Sequence, residues 1–323
     1  MERRLVQGGA AGRGRVRVSF LQSIRETLAM YSELGKIKLG SMVVITTMAG
    51  YYMAPFSSFD LKRFALTSLG TGLAVISANT FNHIIEAKLD LRMVRTSTRP
   101  LPSGRMSSTH ATMFGVITGI VGPALLMARV DNTAAALALA NIVLYAGVYT
   151  PLKQMHPINT WVGSVVGAIP PMIGWVAVTK GKLDLGAWAL GGLLFLWQIP
   201  HFLSLSFPLK EDYARAGYKM LSVTNVDAVM SLSYVFSAML LPLGFVSSYA
   251  GMTSWVYAID STLCNGYLLW MAHKFYTRRD TTSARKLFFA SLIYLPLQMS
   301  LMMLHKSNHP VSAAAVATPS LSL

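Results

Sequence analysis

Three side chains with oxygen donors recur at intervals of four residues in the stretch NHIIEAKLD. They are Asn82, Glu86 and Asp90. Four residues advance an α-helix by about 400°, so these side chains form a slowly drifting row on one helical face. Two carboxylates and an amide oxygen are hard donors of the kind that Mg²⁺ binds. The row indicates either a magnesium site or groups that solvate the end of a helix in the headgroup region of a membrane.

Basic side chains follow this row directly. Arg92, Arg95 and Arg99 come next in the chain, before Pro100 ends regular helix. A guanidinium offers forked donors that match phosphate oxygens. The segment therefore places candidate phosphate ligands beside candidate metal ligands.

A second cluster of acids and bases lies in the stretch PLKEDYARAGYKM. Its candidate ligands are Lys210, Glu211 and Asp212, and the spacing does not decide which carboxylate would bind a metal. Lys153, close to Tyr149 in the stretch YTPLK, adds a further cation. Acids embedded in excess base predict a diphosphate–Mg²⁺ site, in which carboxylates hold the metal and cations bind the phosphate.

Membrane helices are the elements that must position these residues. The chain is 53% hydrophobic and only 13% charged, which is far from the average of soluble proteins. Uncharged runs of about 20 residues, long enough to cross a bilayer as a helix, recur along it. The nine predicted spans are 39–59, 64–85, 106–128, 132–152, 154–179, 185–209, 228–250, 253–273 and 287–305.

Positive charge is distributed unequally between the two sides of these spans. The N-terminal side receives 22 of the 28 Lys and Arg residues and the other side 6. Cationic loops stay on the inner side, so the N-terminus is predicted to face the cytosol or the matrix, as are the connections that carry the candidate ligands. The charges lie in short loops without a nucleic-acid-binding motif. Anionic lipid and an anionic substrate are therefore the expected partners, and nucleic acid is not.

The chain divides into three segments. Residues 1–36 are basic and lack the apolar core of a secretory signal, which is typical of a mitochondrial transit peptide or of a disordered basic tail. Residues 37–305 hold the predicted spans, and residues 306–323 are predicted to be disordered. A single cysteine, Cys264, allows no internal disulfide, and we interpret it as a packing residue.

The sequence resembles the UbiA superfamily of intramembrane prenyltransferases and, within it, the branch that prenylates heme. The resemblance extends over residues 37–305 in layout and 79–221 in motif. It implies an all-α polytopic membrane protein with nine transmembrane helices in a UbiA-type bundle around a central lipid-open cavity. The motifs that carry it are N-x-x-x-E-x-x-x-D at 82–90, RTSTRPLPSG at 95–104, YTPLK at 149–153, NTWVGSVVGAIPPMIGW at 159–175 and FLWQIPHFLSLSFPLKEDYARAGYKML at 195–221.

The resemblance also implies an activity. It is the transfer of the farnesyl group of farnesyl diphosphate to a vinyl group of protoheme IX (heme B), which gives heme O, with Mg²⁺ as the cofactor. Heme O is a step towards heme A, so a heme O monooxygenase is an expected partner beside the lipid bilayer. The implied location is the mitochondrial inner membrane with the catalytic loops facing the matrix, or a bacterial inner membrane with these loops on the cytoplasmic face.

The chain departs from the superfamily at its acidic boxes. Members usually carry two D-x-x-x-D boxes, whereas this chain has Glu86 at the middle place of the first and only Glu211 and Asp212 in the second. Catalytic roles are assigned to Asn82, Glu86, Asp90 and Asp212, and metal ligation to these four and Glu211. Diphosphate binding is assigned to Arg92, Arg95, Arg99, Lys153, Lys210 and Tyr149.

Aromatic rings and one intramembrane histidine are candidates for contact with heme or the prenyl chain. Ring faces attract cations such as an allylic intermediate, although packing is the alternative for any aromatic in a membrane bundle. His201 needs a reason for its depth, which is either heme contact or pairing with a neighbouring helix. The candidates are His201, Trp197, Tyr145, Trp175 and Tyr213, together with Phe81 and Tyr149.

Three other classes of function compete with this interpretation. A transporter would explain intramembrane polar residues such as Asp260 and His201, but the charges concentrate on one face and no inverted repeat is visible. A heme chaperone would favour histidine-rich loops, which the sequence lacks. A prenyltransferase of an aromatic quinone precursor shares the acidic boxes, but the motifs at 159–171 and 200–202 favour heme.

Overall fold

The computed structural model describes residues 20–307, and within them the secondary structure is helical apart from one isolated β-bridge between Thr253 and Lys306. These described residues form fourteen α-helices, a π-helix at Val143–Tyr149 and a 3-10 helix at Phe207–Leu209. The α-helices are α1 (Phe20–Leu34), α2 (Ile37–Met53), α3 (Leu61–Asp90), α4 (Ser108–Arg129), α5 (Asn132–Ile142), α6 (Thr150–Met155), α7 (Asn159–Val178), α8 (Leu185–Ser206), α9 (Lys210–Ala216), α10 (Leu221–Thr224), α11 (Val226–Met239), α12 (Leu243–Tyr249), α13 (Trp255–Arg278) and α14 (Thr281–Leu304).

Seven stretches of the described chain are long and apolar enough to cross a membrane. The all-α membrane class is therefore confirmed, but the count of nine spans is wrong by this measure. The predicted span 39–59 is α2, which has only 17 residues, and the predicted span 253–273 is α13, whose apolar character is interrupted by Asp260 and Asn265. The seven are Leu61–Asp90, Ser108–Arg129, Asn132–Met155, Asn159–Val178, Leu185–Ala216, Val226–Tyr249 and Thr281–Leu304.

Side-chain oxygens set where many of these helices begin. An N-cap residue accepts a hydrogen bond from a backbone N–H that the first turn leaves unpaired. Asp280 accepts from the N–H of Ser283, so α14 begins six residues before the predicted span 287–305. The other caps of this kind are Asp60, Ser107, Asp131, Asp184 and Asn225.

The segments predicted to flank the bundle lie largely outside the described residues. Residues 1–19 and 308–323 are not described. The remainder of the predicted basic segment is α1, which ends at Leu34. Leu34 is fully buried against Met106 and Ala111 at the start of α4, so this helix is part of the packed structure.

Helices α2 and α7 cross at glycines. A Cβ atom added at Gly174 would overlap the carbonyl oxygen of Thr47, and one added at Gly50 would overlap the carbonyl oxygen of Pro171. Small residues let two helix backbones approach closely in a membrane, where dispersion contacts hold helices together. This crossing fixes α2, and the turn that precedes it, against the centre of the bundle.

Substitution of Gly174 by alanine should weaken this crossing. The added methyl group meets backbone of α2, which has no rotamer to move, so we expect a loss of about 1 to 3 kcal/mol and a lower Tm in detergent. Gly192→Ala in α8 is the matched control, because no atom lies within 4 Å of a Cβ added there. Equal Tm values for the two variants would show that the α2–α7 contact is not under this constraint.

Candidate active site

A polar cavity of about 200 Å³ opens among the connections at one end of the bundle. Its walls come from five parts of the chain that the sequence places far apart, namely the turn before α2 with the start of that helix, the end of α3 with the loop after it, the region from the end of the π-helix into α6, α8, and the segment around α9. The three connections that carry candidate ligands therefore meet at one cavity. The polar and charged residues that line it are Lys36, Glu86, Asp90, Arg95, Thr96, Arg99, Tyr149, Lys153, Tyr213 and Tyr218.

A second, mostly apolar cavity of about 350 Å³ lies directly beneath the first. The two cavities share Leu39, Tyr149 and Phe202 in their walls, so these side chains form a neck between them. The lower walls are supplied by α3, the α5 region, α7 and α8. The two cavities form one continuous recess. A ligand with a charged head group and an apolar chain could place its head in the polar cavity and its chain in the apolar one.

Two ion pairs hold the carboxylates in the polar cavity. Lys153 Nζ lies 2.7 Å from Glu86 Oε1, and Arg99 donates to Asp90 Oδ2 at 2.7 Å. The two carboxylate side chains are only 5% and 2% exposed, so each charge depends on its partner. Because Glu86 and Asp90 are one turn apart on α3, both face the same cavity, as the spacing predicted.

Positive charge exceeds negative charge in this cavity. Besides Lys153 and Arg99, the side chains of Arg95 and Lys36 line it, which gives four basic side chains and two carboxylates. An unbalanced cationic recess is a site for an anion.

Lys36 is a site residue that the sequence analysis missed. It lies in the turn before α2 in the left-handed backbone conformation, with φ 48°. Its Nζ donates to Asn82 Oδ1 at 2.5 Å. Burial is the main cause that lowers the pKa of Lys36 to about 7, and the positive charge of Lys153 is the second. No motif marks this residue, because its partner lies 46 positions along the chain.

Asn82 is a connector in the structure, which differs from its predicted place among the metal ligands. Its side chain is fully buried, its Oδ1 accepts from Lys36 and its Nδ2 donates to Thr150 Oγ1 at 3.0 Å. Thr150 in turn donates to the carbonyl of Tyr145 at 2.8 Å. Asn82 therefore ties the turn before α2 to the π-helix, and it does not line the polar cavity.

The π-helix Val143–Tyr149 shapes the neck between the cavities. π-Helical turns are rare and occur frequently at functional sites. Here Tyr145 and Tyr149 stack with ring centroids 5.4 Å apart, and both rings line the apolar cavity. Lys153 Nζ lies 4.6 Å from the centroid of the Tyr149 ring, so this ring also contacts the charged end.

The segment after α9 closes one wall of the polar cavity. The backbone N–H of Lys219 donates to the carbonyl of Lys153 at 2.7 Å, and Asn159 Nδ2 donates to the carbonyl of Lys219. This pairing places Tyr218 in the cavity beside Glu86. Burial, together with the negative charge of Glu86, raises the pKa of Tyr218 above its ordinary value, so its phenol remains protonated.

The acids of the second cluster do not line the polar cavity. Asp212 Oδ1 accepts from Arg215 one turn away, and Glu211 is exposed. Lys210 lies over the ring of Phe207 instead, and Arg92 points out to solvent. The spacing could not show this, because α9 is a seven-residue helix whose orientation is set by contacts outside it.

The predicted aromatic contacts separate into two groups. Tyr145 and His201 line the apolar cavity and Tyr213 lines the polar one. Trp175 is instead buried against Gly186, and Trp197 donates through Nε1 to the carbonyl of Ser291 at 2.8 Å. These two tryptophans line neither cavity and pack helices together.

His201 both packs against neighbouring helices and lines the apolar cavity. Its Nδ1 lies 2.8 Å from Ser291 Oγ on α14, and its ring stacks on Trp197 at 4.6 Å. The predicted pairing with a neighbouring helix is therefore present, and the residue also lines the apolar cavity. Asp260, the other intramembrane candidate, pairs with His305 at 2.9 Å and takes no part in either cavity.

The donor set is compatible with Mg²⁺ bound together with a phosphate ligand. Among residues 20–307 no group of three His, Cys, Asp or Glu side chains lies close enough to hold a metal by itself. Mg²⁺ is usually bound through one or two carboxylates, with phosphate oxygens and water completing the shell. Glu86 and Asp90 supply these two carboxylates on the wall of one cavity.

Fold and cavities define a helical membrane protein with a charged recess above an apolar one. The comparisons with known proteins identify the family within this class. Residues 43–293 match the UbiA prenyltransferase family, and the chain belongs to this family. The predicted resemblance is thereby confirmed.

Relatives and solved structures agree with this assignment. The chain is 44% identical over 272 residues to the mitochondrial protoheme IX farnesyltransferase of Homo sapiens, covering 84% of this chain and 61% of the human protein. A digeranylgeranylglyceryl phosphate synthase has the same fold, with a TM-score of 0.75 at 18% identity over 87% of this chain and 98% of that one. A UbiA homologue from Archaeoglobus fulgidus bound to DMAPP and Mg²⁺ matches with a TM-score of 0.62 at 15% identity, covering 84% and 98%.

Removal of Lys153 should destabilise the protein through Glu86. Lys153→Met leaves a carboxylate buried without its cation, for which we expect a loss of about 3 to 5 kcal/mol. The double variant with Glu86→Gln removes both charges and should recover most of the loss in a thermal unfolding assay. Arg215→Met is the matched control, because the exposed pair with Asp212 is expected to contribute at most about 1 kcal/mol. A double variant no more stable than the single one would contradict this account.

Proposed function

We propose that the protein transfers the farnesyl group of farnesyl diphosphate to a vinyl group of protoheme IX, giving heme O. The observation that carries this proposal is the cationic cavity with two carboxylates that continues into an apolar cavity. An anionic head on a hydrocarbon chain requires both. The protoheme IX farnesyltransferase from Homo sapiens supplies the choice of donor and acceptor, since it is similar over 84% of this chain.

The polar cavity is the proposed site of the diphosphate. Glu86 and Asp90 would hold Mg²⁺, which supplies Lewis-acid stabilisation of the departing diphosphate when bound. Lys153 and Arg99, whose partners are these two carboxylates, are then free to donate to phosphate oxygens. Arg95 and Lys36 line the same cavity and neutralise further negative charge.

Departure of the diphosphate leaves an allylic cation at the neck. Tyr149 in the neck, and Tyr145, which stacks on it in the apolar cavity, present aromatic faces that stabilise positive charge. Phe202 and Leu39 complete the neck with apolar surface. These side chains exclude water from the cation until the vinyl group of the acceptor attacks it through its terminal carbon. The new carbon–carbon bond leaves a cation on the other vinyl carbon, where water adds and loses a proton to give the hydroxyethylfarnesyl group of heme O.

The acceptor is proposed to enter on the α8 side of the apolar cavity. His201 lines this wall with Nδ1 engaged by Ser291, so Nε2 is the ring nitrogen left for heme contact. Gln198, three residues before His201 on α8, places an amide group on the same wall. The remaining wall is apolar, as the macrocycle requires.

The proposed location is the mitochondrial inner membrane, with the polar cavity facing the matrix. The excess of Lys and Arg on the side of this cavity supports that orientation. The mitochondrial relative supports the compartment. A heme O monooxygenase would then act next on the product.

Activity can be tested with purified protein, protoheme IX, farnesyl diphosphate and Mg²⁺, with heme O measured by mass. We expect product from the wild type and a loss of at least about 100-fold in Glu86→Gln and Asp90→Asn, since both lose a metal donor. Asp227→Asn is the matched control, because that carboxylate lies in an exposed pair with Arg279. Prenylation of 4-hydroxybenzoate in place of heme would assign the protein to the quinone branch.

Lys36 provides a separate test of the diphosphate site. Lys36→Met should raise KM for farnesyl diphosphate about tenfold, because one charge-assisted contact to phosphate is lost. Lys36→Arg should recover much of this loss. Lys38→Met, which removes an exposed lysine two residues away, should leave KM unchanged. A KM that is the same in Lys36→Met and Lys38→Met would remove Lys36 from the site.

A further inference from the structure

The apolar cavity ends on a floor built from three helices. On each of these helices the lining residue farthest along the chain from the polar cavity is Thr71 on α3, Ala138 on α5 and Ile173 on α7. We infer that this floor sets the length of the prenyl chain, so that the protein selects three isoprene units over two or four. The inference rests on the proposed function and adds a specificity determinant to it.

The floor is closed by packed side chains. Directly beyond it lies a hydrophobic cluster that includes Ala138 and Ile173 themselves. Its members Leu126, Val176 and Ala177 are fully buried. Protein interiors of this kind have few voids and move little, so this cluster blocks a prenyl chain from continuing along the helices past these three residues.

The depth of the recess matches a farnesyl chain. Thr71 precedes Glu86 by fifteen residues on the continuous helix α3, which is about 22 Å along the axis. An extended farnesyl chain spans roughly 14 Å, because carbon–carbon bonds of about 1.5 Å advance about 1.25 Å each along a zigzag. About 8 Å then remains for the diphosphate above the neck, next to Glu86 and Asp90.

The spacing of the lining residues along the helices matches the length of an isoprene unit. One isoprene unit adds four main-chain carbons, or about 5 Å, which is close to the 5.4 Å pitch of an α-helix. Each further turn of lining helix therefore accommodates about one isoprene unit. On α5 the floor residue Ala138 and the next lining residue in its row, Ile142, are one turn apart.

Ala138 is the position where side-chain volume should control the length. It lines the cavity and is fully buried, so a larger side chain there has the cavity as its nearest free space. Ala138→Leu raises the floor by about one turn and should exclude the third isoprene unit. Ile173→Ala removes volume from the same floor and should admit a fourth.

The experiment is a competition in one reaction. The full chain in detergent is given protoheme IX, Mg²⁺ and equal amounts of geranyl, farnesyl and geranylgeranyl diphosphate, and the prenylated hemes are resolved by mass. Product ratios from a mixture do not depend on how much of a variant is folded. Ala136→Leu is the matched control, since it makes the same change on the exposed face of α5.

The wild type should favour the farnesyl product. Ala138→Leu should raise the geranyl-to-farnesyl ratio by at least about tenfold, the lower limit for a misfit of even one methylene in a pocket. Ile173→Ala should raise the geranylgeranyl-to-farnesyl ratio, and Ala136→Leu should leave all ratios unchanged. If Ala138→Leu yields no folded protein, the Ile173→Ala ratio decides.

Two results would overturn the inference while leaving the proposed function intact. One is that the folded variants Ala138→Leu and Ile173→Ala give the same product ratios as the wild type. The other is an equal response of Ala138→Leu and Ala136→Leu. A wild type that prenylates heme with none of the three donors would instead overturn both the proposed function and the inference about chain length.

Discussion

A buried carboxylate in a membrane bundle requires a cation beside it, and the end of the bundle that holds the polar cavity is organised by that requirement. Glu86 and Asp90 are almost completely buried, and Lys153 and Arg99 come from other parts of the chain to meet them. The connection after α3 must fold back to bring Arg99, and α6 must end beside α3 to bring Lys153. The same pairs leave the cavity with a cationic surplus once the carboxylates bind something else. The four side chains that neutralise each other in the bundle are thus the ones proposed to bind the metal and the diphosphate.

Much of the fold could be predicted from the sequence, because hydropathy reports directly on burial in lipid. The all-α membrane class and the approximate position of every long helix followed from uncharged runs. The exceptions have local causes. Asp280 caps α14 ahead of its apolar run, and polar residues such as Asn265 and Gln298 lie inside the bundle because they hydrogen-bond each other there. The π-helix cannot be predicted from composition. It depends on which backbone carbonyl accepts the hydrogen bond from Thr150 and from the residues next to it.

The candidate site was predicted in part. A spacing of four residues shows that Glu86 and Asp90 share a helical face, and they do line one cavity. Spacing along one helix says nothing about partners on another, so the contacts of Asn82 with Lys36 and Thr150 could not be foreseen. For the same reason the acids of α9 were expected at the cavity, where the structure places Tyr213 and Tyr218 instead. The comparisons establish the family, and the roles of individual residues remain predictions.

The turn that carries Lys36 is anchored from both sides. Leu34 is buried under α4, and the carbonyl of Gly35 accepts a hydrogen bond from Asn79 on α3 at 2.9 Å. Both anchors, and Lys36 itself, precede residue 43, where the match to the family begins. A truncated protein trimmed to the boundaries shared by the family would therefore retain the carboxylates and lose one wall of the recess. Residues 43–293 therefore do not contain every side chain that builds the polar cavity.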